Sequence, residues 1–282
     1  EILYPQKATV IGLVKVIGQE YQNIHCYSID IILPTSGSWQ EEKLTEKLLI
    51  ELTAPSTDRI VAYRGGHRWV QTFKQVSLPA ISKTPKLKTG GVYLIVGGLG
   101  SLGLVLAEYL AQKFQAKLIL TGRSSFPLRD EWSQWLMKDD VTSSKIRKLL
   151  ELESFGAEVM VVKADTANLE QMQHAIAQAE KRFGTINGAI HSVATSLTER
   201  MRPIERITEV ECDREFQGKV YGLLVLQQVL QNKELDFCLL ISSLASIFGG
   251  VGHSAYSASN LFMDAFIAQH NQIHPIPWIS AN

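Results

Sequence analysis

The chain has 282 residues, 45% of them hydrophobic, which suffices for one large domain or two unequal ones and excludes a disordered polypeptide. Its 28 basic and 28 acidic residues cancel, so no global positive surplus points to nucleic acid or an anionic membrane. Cys26, Cys212 and Cys238 form no CxxC pair and no zinc spacing, and they read as reduced thiols of a cytoplasmic protein.

No stretch is apolar for long enough to cross a bilayer, and EILYPQKATV lacks the pattern of a signal peptide. Without an initial Met, it reads as a piece of a longer polypeptide. The first segment, to about residue 78, predicts strands over Ala8–Leu13 and Tyr27–Ile32. A helix follows over Glu41–Leu52 and a strand over Arg59–Tyr63. The turn Arg64-Gly65-Gly66 then leads to a hairpin partner over Arg68–Phe73. No glycine-rich turn joins its first strand to a helix, so it offers no pyrophosphate site. Pro79–Thr89, with two prolines and three lysines, reads as a linker.

From Gly90 the pattern becomes strand–helix alternation. Strands are predicted over Gly91–Val96, Lys117–Thr121, Glu158–Lys163, Gly188–His191, Phe237–Ser242 and Pro277–Ser280. Helices are predicted over Leu102–Phe114, Ser143–Phe155, Leu169–Phe183, Glu209–Gln231 and Ala255–Gln269. Such alternation implies right-handed crossovers and a parallel sheet covered on both faces. The fold class expected is α/β: a Rossmann-type doubly wound parallel sheet over 85–282, preceded by a smaller subdomain over 1–84.

Gly97-Gly98-Leu99-Gly100-Ser101-Leu102-Gly103 lies between a predicted strand and a predicted helix. Glycines let the backbone approach a pyrophosphate, and the N–H groups at the helix start face its charge. After the next strand come Arg123 and Ser124, where an NAD site would carry an acidic residue. A guanidinium and a hydroxyl suit a 2′-phosphate, so NADPH is the expected cofactor. Asp165 is placed either to bond the adenine amino group or to cap the helix that follows.

A second constellation begins at Ser243, at the carboxyl end of a strand. Tyr256 follows thirteen residues later, at the start of a helix after a glycine-rich loop. Asn260 lies one turn beyond it on the same face. Lys219 sits on the preceding long helix, in Phe216-Gln-Gly-Lys-Val-Tyr-Gly. Hydride delivery to a carbonyl leaves an alkoxide, which Tyr256 would protonate. A free phenol, with pKa near 10, is a slow partner at neutral pH, and a nearby ammonium favours its phenolate. Ser243 would hydrogen-bond the carbonyl oxygen, and Asn260 would hold Lys219 or a water.

The glycine turn, the serine and the tyrosine resemble the short-chain dehydrogenase/reductase superfamily. The exchange of its usual lysine for Asn260, with Lys219 on the earlier helix, is similar to ketoreductases of modular polyketide synthases and the related region of animal fatty acid synthase. Val16-Ile17-Gly18-Gln19-Glu20-Tyr21, Ser28-Ile29-Asp30 and Val61-Ala62-Tyr63-Arg64-Gly65-Gly66 resemble the structural subdomain of those ketoreductases, a truncated Rossmann fold without cofactor.

The resemblance implies NADPH-dependent reduction of a β-ketoacyl thioester on the phosphopantetheine arm of an acyl carrier protein, among neighbouring domains of one synthase. It adds Thr166 beside Asp165, and Ser192, Val193 and Ala194 beside the nicotinamide ribose, where relatives commonly show Ala-Gly in place of Val193-Ala194. It implies no metal. The Leu-Asp-Asp motif of one stereochemical class is missing at Thr195-Ser196-Leu197-Thr198. His253, three residues before Tyr256, fits the opposite, A-type class with an L-hydroxyl, although Phe248 stands where that class often has tryptophan. A substrate lid is expected beyond Asn282. Two rivals are a stand-alone ketone reductase, which would not need the N-terminal segment, and a non-reducing structural or epimerising module. The usual signature of the latter is a lost tyrosine or serine, and both are present.

Overall fold

Val92, Tyr93, Leu94, Ile95 and Val96 form a strand buried at every position, β4, the centre of the larger sheet in this computed structural model. The structure describes residues 3–53, 58–77, 86–194 and 201–282. The boundary expected at 84/85, most of the linker and the stretch Thr195–Thr198 lie outside the described residues.

The order of elements before β4 is α1 (Pro5–Glu20), β1 (Ser28–Ile31), α2 (Trp39–Thr53), β2 (Ile60–Arg64) and β3 (His67–Val70). β1 pairs parallel with β2, and β2 pairs antiparallel with β3 through the Gly65-Gly66 turn. The strand expected over Ala8–Leu13 is instead the middle of α1. Val10, Ile11, Val14, Val16 and Ile17 give the run a strand-like composition. Pro5 in the first turn favours a helix start, and burial of Gly12, Val14 and Val16 decides the outcome.

After β4 come α3 (Ser101–Phe114), β5 (Lys117–Gly122), the short α4 (Trp132–Trp135), α5 (Val141–Ser154), β6 (Glu158–Lys163), α6 (Leu169–Phe183) and β7 (Gly188–His191). Next are α7 (Glu209–Phe216), α8 (Gly222–Leu230), β8 (Phe237–Ile241), the short α9 (Ala245–Phe248), α10 (Ser254–Ile273) and β9 (Trp278–Ala281). The long helix expected over Glu209–Gln231 is interrupted, because Gln217–Tyr221, between α7 and α8, is a π turn. Both α4 and α9 were illegible as short apolar turns.

The six strands lie in the order β6-β5-β4-β7-β8-β9, all parallel. This is the doubly wound Rossmann order expected from sequence, with its switch point between β4 and β7. Alternation along β4 builds two cores. Leu94 and Val96 join Met172, Leu223 and Met263 on one face, and Tyr93 and Ile95 join Leu110, Ile146 and Leu149 on the other. Each such side chain, fully buried, contributes roughly 1.5–3 kcal/mol. The carboxyl ends of β4 and β7 therefore open one crevice on a rigid base.

α1 packs along α10. A Cβ on Gly12 would lie 2.4 Å from the Ala258 nitrogen, so only glycine permits this approach.

Candidate active site

A cleft of about 710 Å³ runs across the switch point. At its centre the chain leaves β4 through Gly97, at φ +77°, a conformation that favours glycine. Gly100 is the N-cap of α3 and supplies no side-chain cap. The first-turn N–H groups of α3 are thus left for a ligand, and Ser101 and Leu102 line the cleft there. Gly97, Leu99 and Gly100 also line it, whereas Gly98 and Gly103 do not. A Cβ on Gly103 would lie 2.6 Å from the Gly97 carbonyl oxygen, so this glycine lets α3 sit against the turn.

Arg123 and Ser124, both exposed after β5, line one end of the cleft. Lys145 on α5 joins them, a residue the sequence pattern gave no reason to single out. Asp165 and Thr166 form the adjoining wall. Asp165 is not the cap of α6. Asn168 is, accepting from the Gln171 N–H at 3.0 Å, while Asp165 Oδ1 accepts from the Ala167 N–H at 3.0 Å.

Ser192, Val193 and Ala194 continue the cleft beyond β7. Val193 reaches into the space over Gly218, where a Cβ would meet its Cγ1 at 2.5 Å. Buried His191 ends β7 and meets the Gly218 carbonyl oxygen at 3.1 Å through Nε2. Burial, reinforced by the nearby Lys219 charge, pushes this imidazole down to about 3. Neutral at physiological pH, it donates from Nε2–H to a carbonyl of the π turn.

Lys219 lies in that π turn and is almost wholly buried. Its Nζ donates to Asn260 Oδ1 at 3.0 Å and to the Ile241 carbonyl oxygen at 3.3 Å. The same Nζ is 5.4 Å from the centre of the Tyr256 ring. Asn260 Nδ2 donates back to the Tyr256 carbonyl oxygen at 2.7 Å, so Asn260 joins the two elements. Lys219 and Tyr256 line the cleft, and Asn260 stands behind them.

Ser243 follows β8, its Oγ accepting from the Ala245 N–H at 3.2 Å. The neighbouring Ser242, rather than Ser243, lines the cleft. Phe248 is 67% exposed at the end of α9. His253 precedes α10, with its ring centre 5.9 Å from that of Tyr256 and its Nδ1 3.0 Å from the Val251 carbonyl oxygen. Among the described residues no group of acidic, histidine or cysteine side chains could hold a metal.

Two buried hydroxyls on the cleft wall, Thr166 Oγ1 and Ser242 Oγ, have no partner among the described residues. Together with the uncapped start of α3, they fit a dinucleotide with its own polar groups. The fold and this arrangement fit one class, the Rossmann-type oxidoreductases of nicotinamide cofactors.

Comparison with known proteins is consistent with that class. Residues 91–275 match the KR domain family. Polyketide synthase PksM of Bacillus subtilis strain 168 is 33% identical over 235 residues, 82% of this chain. PksL of the same strain is 30% identical over 274 residues, 95% of the chain. The chain spans only 5% of the length of PksM and 6% of PksL. A crystal structure of a ketoreductase domain from the bacillaene assembly line superposes with a TM-score of 0.78 at 29% identity. That match covers 95% of this chain and 58% of the other. The chain belongs to the KR domain family, the ketoreductases of polyketide synthases within the short-chain dehydrogenase/reductase superfamily, as its motifs led us to expect.

Proposed function

We propose that this domain uses NADPH to reduce a β-ketoacyl thioester, carried on an acyl carrier protein, to the β-hydroxyacyl thioester. The observation that carries the reading is Lys219 Nζ at 3.0 Å from Asn260 and 5.4 Å from the Tyr256 ring, at the wall of the cleft.

NADPH, when bound, supplies the hydride to the carbonyl carbon. Gly97, Leu99, Gly100, Ser101 and Leu102 would hold its pyrophosphate, with Gly98 and Gly103 shaping the turn. Arg123, Ser124 and Lys145 would hold the 2′-phosphate, Asp165 and Thr166 the adenine, and Ser192, Val193 and Ala194 the nicotinamide ribose. The preference for NADPH is supported by Arg123 and Lys145 on the cleft wall and by Arg123 and Ser124, rather than an acidic residue, directly after β5.

Tyr256 donates its phenolic proton to the developing alkoxide oxygen, to which Ser243 donates a hydrogen bond. Lys219 stabilises the negative charge left on the phenolic oxygen. Asn260 fixes Lys219 and the start of α10 in one geometry. His253, close to Tyr256, and Phe248, at the loop edge, would set which face of the ketone is presented, with an A-type, L-hydroxy outcome.

Residues 1–84 would act as the structural part and 85–282 as the catalytic part. Neighbouring domains of one synthase would deliver the carrier. A cytoplasmic setting fits the unpaired Cys26, Cys212 and Cys238.

The test is NADPH oxidation by the full-length protein with a β-ketoacyl pantetheine thioester, followed by chiral analysis of the product. Turnover that collapses in Tyr256→Phe supports the reading. NADPH binding without turnover in the parent overturns it in favour of a non-reducing module. Equal rates with free ketones and carrier-bound substrate would favour a stand-alone reductase.

A further inference from the structure

The last two turns of α1 reach the loop in front of Tyr256. Lys15 Nζ donates to the Ile247 carbonyl oxygen at 2.6 Å, and Gln19 Nε2 to that of Phe248 at 2.7 Å. Glu20 accepts twice: from the Gly252 N–H at 2.8 Å through Oε1, and from the Ile204 N–H at 2.7 Å through Oε2. The Gly252 carbonyl oxygen in turn accepts from the Arg202 N–H at 3.0 Å. One carboxylate thus ties 201–204 to the glycine loop 249–252.

That loop needs outside support. Gly249, Gly250 and Gly252 have φ of 72°, 141° and 75°. Glycines populate many conformations, so their own preferences do not select this one. A Cβ on Gly249 would lie 3.2 Å from both Gln19 Nε2 and Lys15 Cβ, so the loop lies flat on α1. The loop starts at Phe248 and ends at His253 and Tyr256.

We infer that Glu20, assisted by Lys15 and Gln19, is a positioning residue that fixes the substrate loop and thereby the orientation of the ketoacyl group over Tyr256. Substrate handling is then shared by the N-terminal helix, not confined to the Rossmann part. This rests on the ketoreductase reading. A carboxylate suits the task because both of its oxygens accept, and charged acceptors make the stronger bonds. An amide of the same shape turns one acceptor into a donor facing an N–H group.

Glu20→Gln in the full-length protein is therefore the test, beside Tyr256→Phe. The expected result is a rise in KM for the ketoacyl thioester of about tenfold, with kcat nearly kept. Erosion of product stereopurity and an unchanged NADPH Kd should accompany it. Amide hydrogen exchange should quicken across 201–206 and 247–253, a readout independent of turnover. Gln19→Ala, which removes a single bond, should show the same pattern more weakly if Glu20→Gln folds poorly. Unchanged exchange, KM and stereopurity would overturn the inference. So would a loss of kcat, NADPH affinity and Tm together, which marks a general structural role. A wild-type protein that quickens exchange on mutation but never reduces the thioester would sink the ketoreductase reading and leave loop positioning standing.

Discussion

Lys219 and Asn260 lie on separate elements, yet the lysine ammonium meets the asparagine carbonyl oxygen at 3.0 Å. The asparagine closes the link by donating to the Tyr256 carbonyl oxygen. Removing Asn260 would take from a buried ammonium one of its acceptors, which also include the Ile241 carbonyl and a weak sulfur contact with Met263. Asn260→Ala should lower kcat by about 10- to 100-fold, a share of what general acid–base catalysis supplies. The pH dependence of kcat should shift as well. A steady-state profile from pH 6 to 10 on both proteins checks this.

Tyr256→Phe deletes only the proton donor. It should cost about 100- to 10,000-fold in kcat, with NADPH affinity kept. Ser243→Ala should cost about the same order if its hydroxyl meets the developing oxyanion. Cofactor fluorescence titration beside single-turnover rates separates chemistry from binding.

Arg123 and Lys145 bring two positive charges to one end of the cleft. Arg123→Ala with Lys145→Ala should raise KM for NADPH by about 10- to 100-fold and leave KM for NADH nearly unchanged, since charge-assisted bonds to phosphate are lost. Parallel KM measurements with both cofactors test it. Equal losses for the two would remove the 2′-phosphate role.

His191 ties pH to stability. Folded, it titrates at about 3, against a value of 6.5 outside the protein. Between these limits the unfolded chain holds the extra proton, so acid favours unfolding. The contribution of His191 is complete above about pH 6.5 and is lost as pH falls toward 3, on the order of 1 kcal/mol per pH unit. Urea denaturation at pH 7.5, 6 and 5 should show this slope. His191→Asn should flatten it while weakening the support of the π turn.

Gly12→Val forces a side chain against the Ala258 backbone. It should destabilise the protein by about 1–3 kcal/mol, the usual cost of overpacking. Thermal unfolding measures it, and an unchanged Tm would mean that α1 can shift along α10.

Much of the catalytic part was legible in the chain. The apolar run Val92–Val96 followed by Gly97 and Gly100 couples a buried strand to a phosphate turn, and both signals are local. The spacing of Tyr256 and Asn260 fixed a shared helix face without any tertiary knowledge. α1 is a helix where a strand is expected, because its valines and isoleucines suit a strand and its packing on α10 is a contact between residues far apart in sequence. The π turn at Gln217–Tyr221 carries no composition signal, and what it meets, Val193 over Gly218 and His191 at the Gly218 carbonyl, comes from a strand and loop distant in sequence. Lys145 reads as any surface lysine in the sequence, and only the fold brings it to the wall of the same cleft as Arg123. Glu20 falls within a recognisable motif, but its two acceptor bonds reach residues about two hundred positions away.

The seat of α1 on α10 bears on protein engineering. The close fit at Gly12 and Ala258 is a lock-and-key seam whose two halves come from opposite ends of the chain. A hybrid joined anywhere between residues 21 and 253 would marry a foreign α1 to a native α10 and misalign that seam. Exchanging reduction activities between assembly lines should therefore move both halves together, with the cut placed upstream of Pro5.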